Sequence, residues 1–169
     1  MSKYFNISGE LTQQLLAEGE DYIFNKISFT NTQKVSKCKV DLYIEKKLTG
    51  KFYLLKKVEL PMGTTLIHDN INFSNAINEF SLYIKLTDGA TFTLTGSIDP
   101  TASTTVTGVN TLFLSEVSIG DEIVVSGETR TVSNIASDTS LTVSSAFSDN
   151  GNDTSPDCNP TALVDVIIN

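Results

Sequence analysis

Apolar and polar positions alternate along most of this chain with a period of two. In Asp21–Asn31 ("DYIFNKISFTN"), Ile23, Asn25, Ile27 and Phe29 alternate with polar neighbours. In Lys37–Lys46 ("KCKVDLYIEK"), Cys38, Val40, Leu42 and Ile44 oppose Lys39, Asp41, Tyr43 and Glu45, the pattern of a half-buried strand. Leu48–Gly50 then reads as a turn and Lys51–Leu60 as the return strand of a hairpin, stopped by Pro61 and Gly63. Thr64–Asp69 is a further short strand, and Glu79–Thr87 places Leu82, Ile84 and Leu86 on one face. Leu11–Glu18 admits two readings. Leu11, Leu15 and Leu16 have helical spacing with Gly19 as a cap, but the all-β surroundings favour an edge strand.

From Gly89 the texture changes to short strands rich in Thr, Ser and Gly. Ser103–Gly108 is a strand ending in a turn, and Asn110–Asp121 is a crossing loop or a single helical turn. Ser126-Gly127 is a tight turn between "EIVV" and "TRTV", and Asp138–Ser140 is the next. Such closely spaced short strands predict a small β-barrel.

Ala162–Ile168 ("ALVDVII") is a strand with no local partner, because Ser148–Pro160 is a polar loop. Its alternation matches that of Ser81–Thr87. With residues 90–160 removed, Asp88-Gly89 would join the two as a two-residue hairpin. The expected fold class is therefore all-β. An Ig-like or jelly-roll β-sandwich of about seven strands is formed by residues 1–89 plus 161–169, and a small β-barrel of residues 90–160 is inserted in its last hairpin. Loop tips tolerate such insertions. The alternative is a tandem arrangement in which the last strand completes the second domain.

Charge supports two modules. Residues 1–88 carry 11 Lys against 10 acids, a net of +1, whereas residues 89–169 carry Arg130 against 10 acids, a net of −9. The acidic half lacks the clustered cations that nucleic-acid binding needs, so no nucleic-acid partner is expected. No segment has the run of apolar residues of a membrane span, and the first residues lack the apolar core of a signal peptide, so folding in a cytoplasm is expected. Cys38 and Cys158 are far apart in sequence. A disulfide between them is open, but a cytoplasmic setting favours free thiols.

Candidate chemistry is sparse. His68, the single histidine, stands beside Asp69, but no Ser or Cys nucleophile can be tied to it, and a surface histidine at a strand end is the simpler reading. Cys38 alternates with apolar residues and should face a core; Cys158 lies in a loop, where exposure is expected. Two cysteines and one histidine do not match zinc-ligand spacing. Asp149, Asn152, Asp153 and Asp157 offer oxygens to Ca²⁺, but not in the order of an EF-hand loop, and a solvated linker is the bland alternative. No metal or other cofactor, and no enzyme activity, is expected. Lys46, Lys47, Lys51, Lys56 and Lys57 crowd one hairpin. They form either a docking face for an acidic neighbour or a guard against edge-to-edge pairing.

Two stretches resemble virion proteins of tailed bacteriophages. Thr104–Phe147 is similar to a small β-module of phage tail, fibre and baseplate proteins, through Val106, Gly108, Thr111, Phe113, Val117, Gly120, Asp121, Arg130–Val132 and Ser137–Val143. Ile27–Ile67 resembles a phage structural sandwich in which strands lead into a Pro-x-Gly-Thr-Thr-Leu turn, here Pro61–Leu66. "SLYIKLT" and "VDVIIN" resemble the ends of small virion proteins of contractile-tailed phages. The resemblance implies a structural role in the virion: capsid decoration, neck or collar, tail or baseplate, or fibre attachment. The implied partners are other phage virion proteins (major capsid, neck or tail proteins), with the chain a homo-oligomer or present in many copies. The alternative is a module that binds a host-surface glycan or protein. Against it stands the absence of Trp; Tyr43, Tyr53 and Tyr83 would substitute if they lined one exposed face.

Overall fold

The computed structural model describes residues 1–46, 49–75, 79–148, 151 and 155–169. They divide into two units, Met1–Thr32 with Lys37–Asp88 and Ala162–Asn169, and Gln33–Ser36 with Gly89–Thr161. The joints fall at Asp88/Gly89 and Thr161/Ala162. Gln33–Ser36, expected in the sandwich, belongs to the second unit.

The first unit is a β-sandwich. One sheet has the order β1 (Lys3–Ser8), β17 (Leu163–Ile168), β4 (Ile27–Asn31), β7 (Thr65–His68). The other has the order β2 (Thr12–Leu16), β9 (Phe80–Thr87), β5 (Cys38–Lys46), β6 (Gly50–Leu60). A short pair, β3 (Ile23–Phe24) and β8 (Phe73–Ser74), accompanies them. Taken in chain order, the eight main strands fall into the sheets as first-eighth-third-sixth and second-seventh-fourth-fifth. That is the jelly-roll topology rather than the Ig-like one. Leu11–Glu18 resolves as a strand, β2, because Leu15 and Leu16 enter the core while Gln14 pairs outward with Tyr83. The β5–β6 hairpin forms as read, with Cys38 opposite Leu60 and Lys46 opposite Gly50. Leu48 of its turn lies outside the described residues.

The last strand corrects the sequence reading. β17 does not pair with β9; it lies between β1 and β4 in the opposite sheet, with Val166 opposite both Phe5 and Phe29. The joint is a crossover between sheets, not a hairpin. The Asp88 carboxylate accepts the Ala162 N–H at 2.7 Å, which holds the leaving and returning chain together. Gly89 is not among the glycines with positive φ, which a two-residue type I′ turn requires. Both strands alternate in the same way because both face one core, from opposite sides. Ile27, Phe29, Val40, Leu42, Leu82, Ile84, Leu86, Val166 and Ile168 fill it with no exposed surface.

In the second unit seven strands form one sheet: β10 (Phe92–Thr93), β16 (Asp157–Asn159), β13 (Glu122–Val125), β14 (Glu128–Ser137), β15 (Ser140–Val143), β12 (Thr105–Val109), β11 (Ser97–Asp99). The expected barrel is not closed, since among the described residues no ladder joins β10 to β11. The two edges are nonetheless consecutive in the chain, so the sheet must curl until Leu94–Gly96 can link them. Its longest strand, β14, supplies the bend through register shifts at Val132/Asn134 and Ile135/Ser137. Ser126 and Gly127 both take positive φ, making the primed turn that suits a twisted hairpin. Asn110–Asp121 contains the single helical turn, α1 (Phe113–Glu116). Its Phe113 is fully buried with Val106, Val117, Ile123 and Leu141.

Candidate binding face

The outer face of the β2-β9-β5-β6 sheet brings together residues from four strands. Gln14 lies opposite Tyr83, Tyr83 opposite Tyr43, and Tyr43 opposite Tyr53. All three tyrosines proposed from sequence thus stand in one row across the sheet. Tyr43 and Tyr83 stack at 5.5 Å between ring centroids, Tyr43 and Tyr53 meet at 5.4 Å, and Gln14 Nε2 donates to the Tyr83 hydroxyl at 3.1 Å. Neighbours cover Tyr43 almost completely, while Tyr53 is 43% exposed and Tyr83 is half-buried.

One pleat along, on the same face, Ser81 lies opposite Glu45 and Glu45 opposite Lys51. Glu18, in the loop after β2, donates its backbone N–H to Ser81 Oγ at 3.0 Å. Glu18, Glu45, Lys46, Thr49, Gly50, Ser81 and Tyr83 line an open groove of about 360 Å³.

The described lysines of this hairpin take different partners. Lys51 Nζ sits over the Tyr43 ring at 4.6 Å and donates to its hydroxyl at 3.3 Å; this hydrogen bond holds the ammonium above the usual lysine range. Lys56 lies over Tyr53 at 4.6 Å. Lys46 instead pairs in register with Phe80, an inner-facing position, and meets Glu79 at 2.5 Å. Lys57 occupies a bulge with φ of 51°, its N–H donated to Asp41 Oδ1 at 2.5 Å. Such a bulge interrupts an edge that another strand would otherwise extend. Lys47 lies outside the described residues.

Other candidates go to structural places. His68 ends β7 opposite Ile27. Of the Ca²⁺ candidates, Asp157 lies in β16, where Oδ1 accepts the Thr93 hydroxyl at 2.8 Å; Asp149, Asn152 and Asp153 lie outside the described residues. No cluster of three or more His, Cys, Asp or Glu suited to a metal ion occurs among the described residues. Both cysteines are free and buried. Cys158 corrects the loop reading: it lies in β16 opposite Ile123 because an apolar site in the second core accepts it. Burial pushes the Cys38 thiol up to about 11, with Asp88 adding to the effect. Burial raises the Cys158 thiol further, followed by the Asp121 carboxylate.

Sequence reasoning missed the second unit's polar centre. Asp121 is wholly buried. Oδ1 accepts Gln33 Nε2 at 2.8 Å and the Thr161 N–H at 2.9 Å, and Oδ2 accepts the Ser118 N–H at 2.8 Å. Gln33 is itself fixed by Ser118 Oγ, which donates to its Oε1 at 2.8 Å. The Gly-Asp pattern was the available signal: Gly120, at φ of 96°, turns the chain so that Asp121 points inward.

Other residues of the phage-like pattern take structural places as well. Val106, Phe113, Val117, Val132, Leu141 and Val143 are core. Thr111 Oγ1 donates to the Asp138 carbonyl at 2.6 Å, and Asp138 Oδ1 accepts the Leu114 N–H at 3.0 Å. Arg130 lies over Phe147, donates Nε to the Ala146 carbonyl at 3.1 Å and pairs with Glu128. Gly108 leaves room for Thr111, since a Cβ there would lie 2.0 Å from its Oγ1. Thr111 cannot yield without breaking its bond to Asp138. Gly108→Ala is therefore expected to destabilise the second unit by about 1–3 kcal/mol, read as a lower denaturation midpoint.

No protein-family model matches the chain, and no curated protein does. Among solved structures, one described as "Structure of infectious bursal disease virus Gx strain" aligns with 99% of this chain and 40% of that chain, at 8% identity and a TM-score of 0.23. A likeness at that level carries no argument about fold or function.

Proposed function

We propose that this protein is a non-enzymatic structural component of a tailed-phage particle, held by multivalent docking on a symmetric assembly. The observation that supports this reading is the fate of the phage-like pattern. Its core residues, Thr111, Asp121, Arg130 and Gly108 all serve the second unit's own packing and hydrogen bonding. A residue pattern that builds a module without furnishing a reactive group suits a part whose work is geometric. The jelly roll adds a frame that viral capsid proteins also use, although it serves lectins and cupins too. The partners are other virion proteins, and many weak identical contacts sum to firm attachment. Capsid decoration, neck or collar, tail or baseplate, and fibre attachment are the places such a part occupies.

Quantitative mass spectrometry of purified particles, referenced to the major capsid protein, tests the proposal. A copy number that fits the symmetry of the capsid, neck, tail or fibres supports it and names the place. Absence from the particle overturns it.

A further inference from the structure

The crossing loop between β12 and β13 is apolar on both of its sides. It turns Phe113 and Val117 into the second core but leaves Leu112, Leu114 and Ile119 exposed. Leu112 stands at the N-cap of α1, where Ser, Thr, Asp or Asn would close the turn with a side-chain hydrogen bond, and it makes none. A leucine there serves neither the helical turn nor the core. A local rule broken without local gain marks a surface with another use. The unit that carries this loop has nine acids against Lys34 and Arg130, a net of −7. Lys34 Nζ donates to the Leu114 carbonyl at 3.3 Å, and Arg130 pairs with Glu128.

The first unit carries a surface of the opposite character. Edge strand β6 has Lys51, Lys56 and Lys57 against Glu59, and its Phe52 and Tyr53 are both exposed. Glu59 is paired with Lys37 at 3.0 Å, and Glu45 stands opposite Lys51. Lys56 lies over Tyr53, so a cation and a half-exposed aromatic ring share one spot. We propose that the exposed loop of the second unit docks on the Tyr53–Lys56 stretch of β6 in another copy of this chain. Charge selects the occupant. Two second units, each at −7, repel one another, so the loop does not pair with its own counterpart. A strand of lysines and aromatics offers it both apolar area and the opposite charge. The contact joins two different patches, so it is heterologous, and its repetition builds a ring or a filament. Each contact is small and weak, and a symmetric array sums many of them. These surfaces are independent of the virion reading: particle copy number tests that reading and association in solution tests this one, so either can fail alone.

The experiment is sedimentation velocity on the full chain, from micromolar to millimolar concentration. The parent is expected to associate reversibly, and less so as salt is added. Leu112→Ser with Leu114→Ser removes the apolar surface of the loop and gives α1 a polar N-cap. It should weaken association by on the order of tenfold without lowering the second unit's denaturation midpoint. Lys56→Glu, which reverses the charge beside Tyr53, should also weaken association by on the order of tenfold. At a concentration where each variant alone is monomeric, a mixture of the two is expected to give a dimer. The loop variant still has an intact β6 and the Lys56→Glu variant an intact loop, so one productive contact forms and growth stops there. Four results overturn the proposal: the parent stays monomeric throughout, salt leaves its association unchanged, either variant associates as the parent does, or the mixture stays monomeric.

Discussion

A chain truncated after Thr161 is expected to lose the first unit altogether. The missing residues supply β17, an interior strand that carries the hydrogen-bond ladder between β1 and β4. Val164, Val166 and Ile168 are no more than 1% exposed. At about 1.5–3 kcal/mol for each buried side chain, their loss removes roughly 5–9 kcal/mol. That is comparable to the whole stability of a domain, about 5–15 kcal/mol. The phenylalanines on either side, Phe5 and Phe29, would also lose their central neighbour. In ¹H–¹⁵N spectra, the amides of β4, β5 and β9 should collapse to unfolded positions, while those of β12–β15 stay dispersed. The opposite pattern, with the second unit lost and the first retained, would mean that the last strand completes the second unit. A point variant tests the same claim in the full chain: Val166→Asp puts a carboxylate in a fully buried site and should unfold the same strands.

Asp121→Ala is expected to cost the second unit about 3 kcal/mol or more, because three donors lose a buried carboxylate acceptor. The variant leaves Gln33 Nε2 and the backbone N–H groups of Thr161 and Ser118 without the acceptor they share. Each unsatisfied buried donor costs about 1–3 kcal/mol. Asp121→Asn should also destabilise, but less: it keeps the volume and one acceptor while turning an NH₂ group toward existing donors. Chemical denaturation followed by amide signals from β13–β15 would order the three proteins as parent, Asn, Ala. Equal midpoints for Ala and parent would show that the cluster contributes nothing to stability.

Several elements were legible because local chemistry fixes them. The β5–β6 hairpin follows from two alternating runs close together in the chain, and Ser126-Gly127 from residues that tolerate positive φ. The single helical turn in Asn110–Asp121 was one of the two readings that stretch left open. The tyrosines were legible as outward positions of their strands. Their meeting in one row was not, because it depends on the register of three strands, of which β9 is distant in sequence from the β5–β6 hairpin. The lysines were legible as neighbours in sequence, but their partners were not: Lys51 and Lys56 lie over Tyr43 and Tyr53, whereas Lys46 pairs with Glu79.

The sequence by itself determined where strands run, which side of each is apolar, and that the two halves of the chain differ in charge. These follow from a side-chain period of two and from composition, both of which act locally. Only the tertiary structure decided that β17 joins β1 and β4, that Gln33–Ser36 belongs with Asp121, and that Tyr83 lies beside Glu45 and Ser81 along a groove. Alternation says that a strand faces a core but not from which side. The entropy of closing a loop grows only slowly with its length, so the long excursion between Asp88 and Ala162 restricts that choice little. The choice falls instead to the packing of Val164, Val166 and Ile168 against Ile7, Ile27 and Phe29, which is settled when the two sheets close.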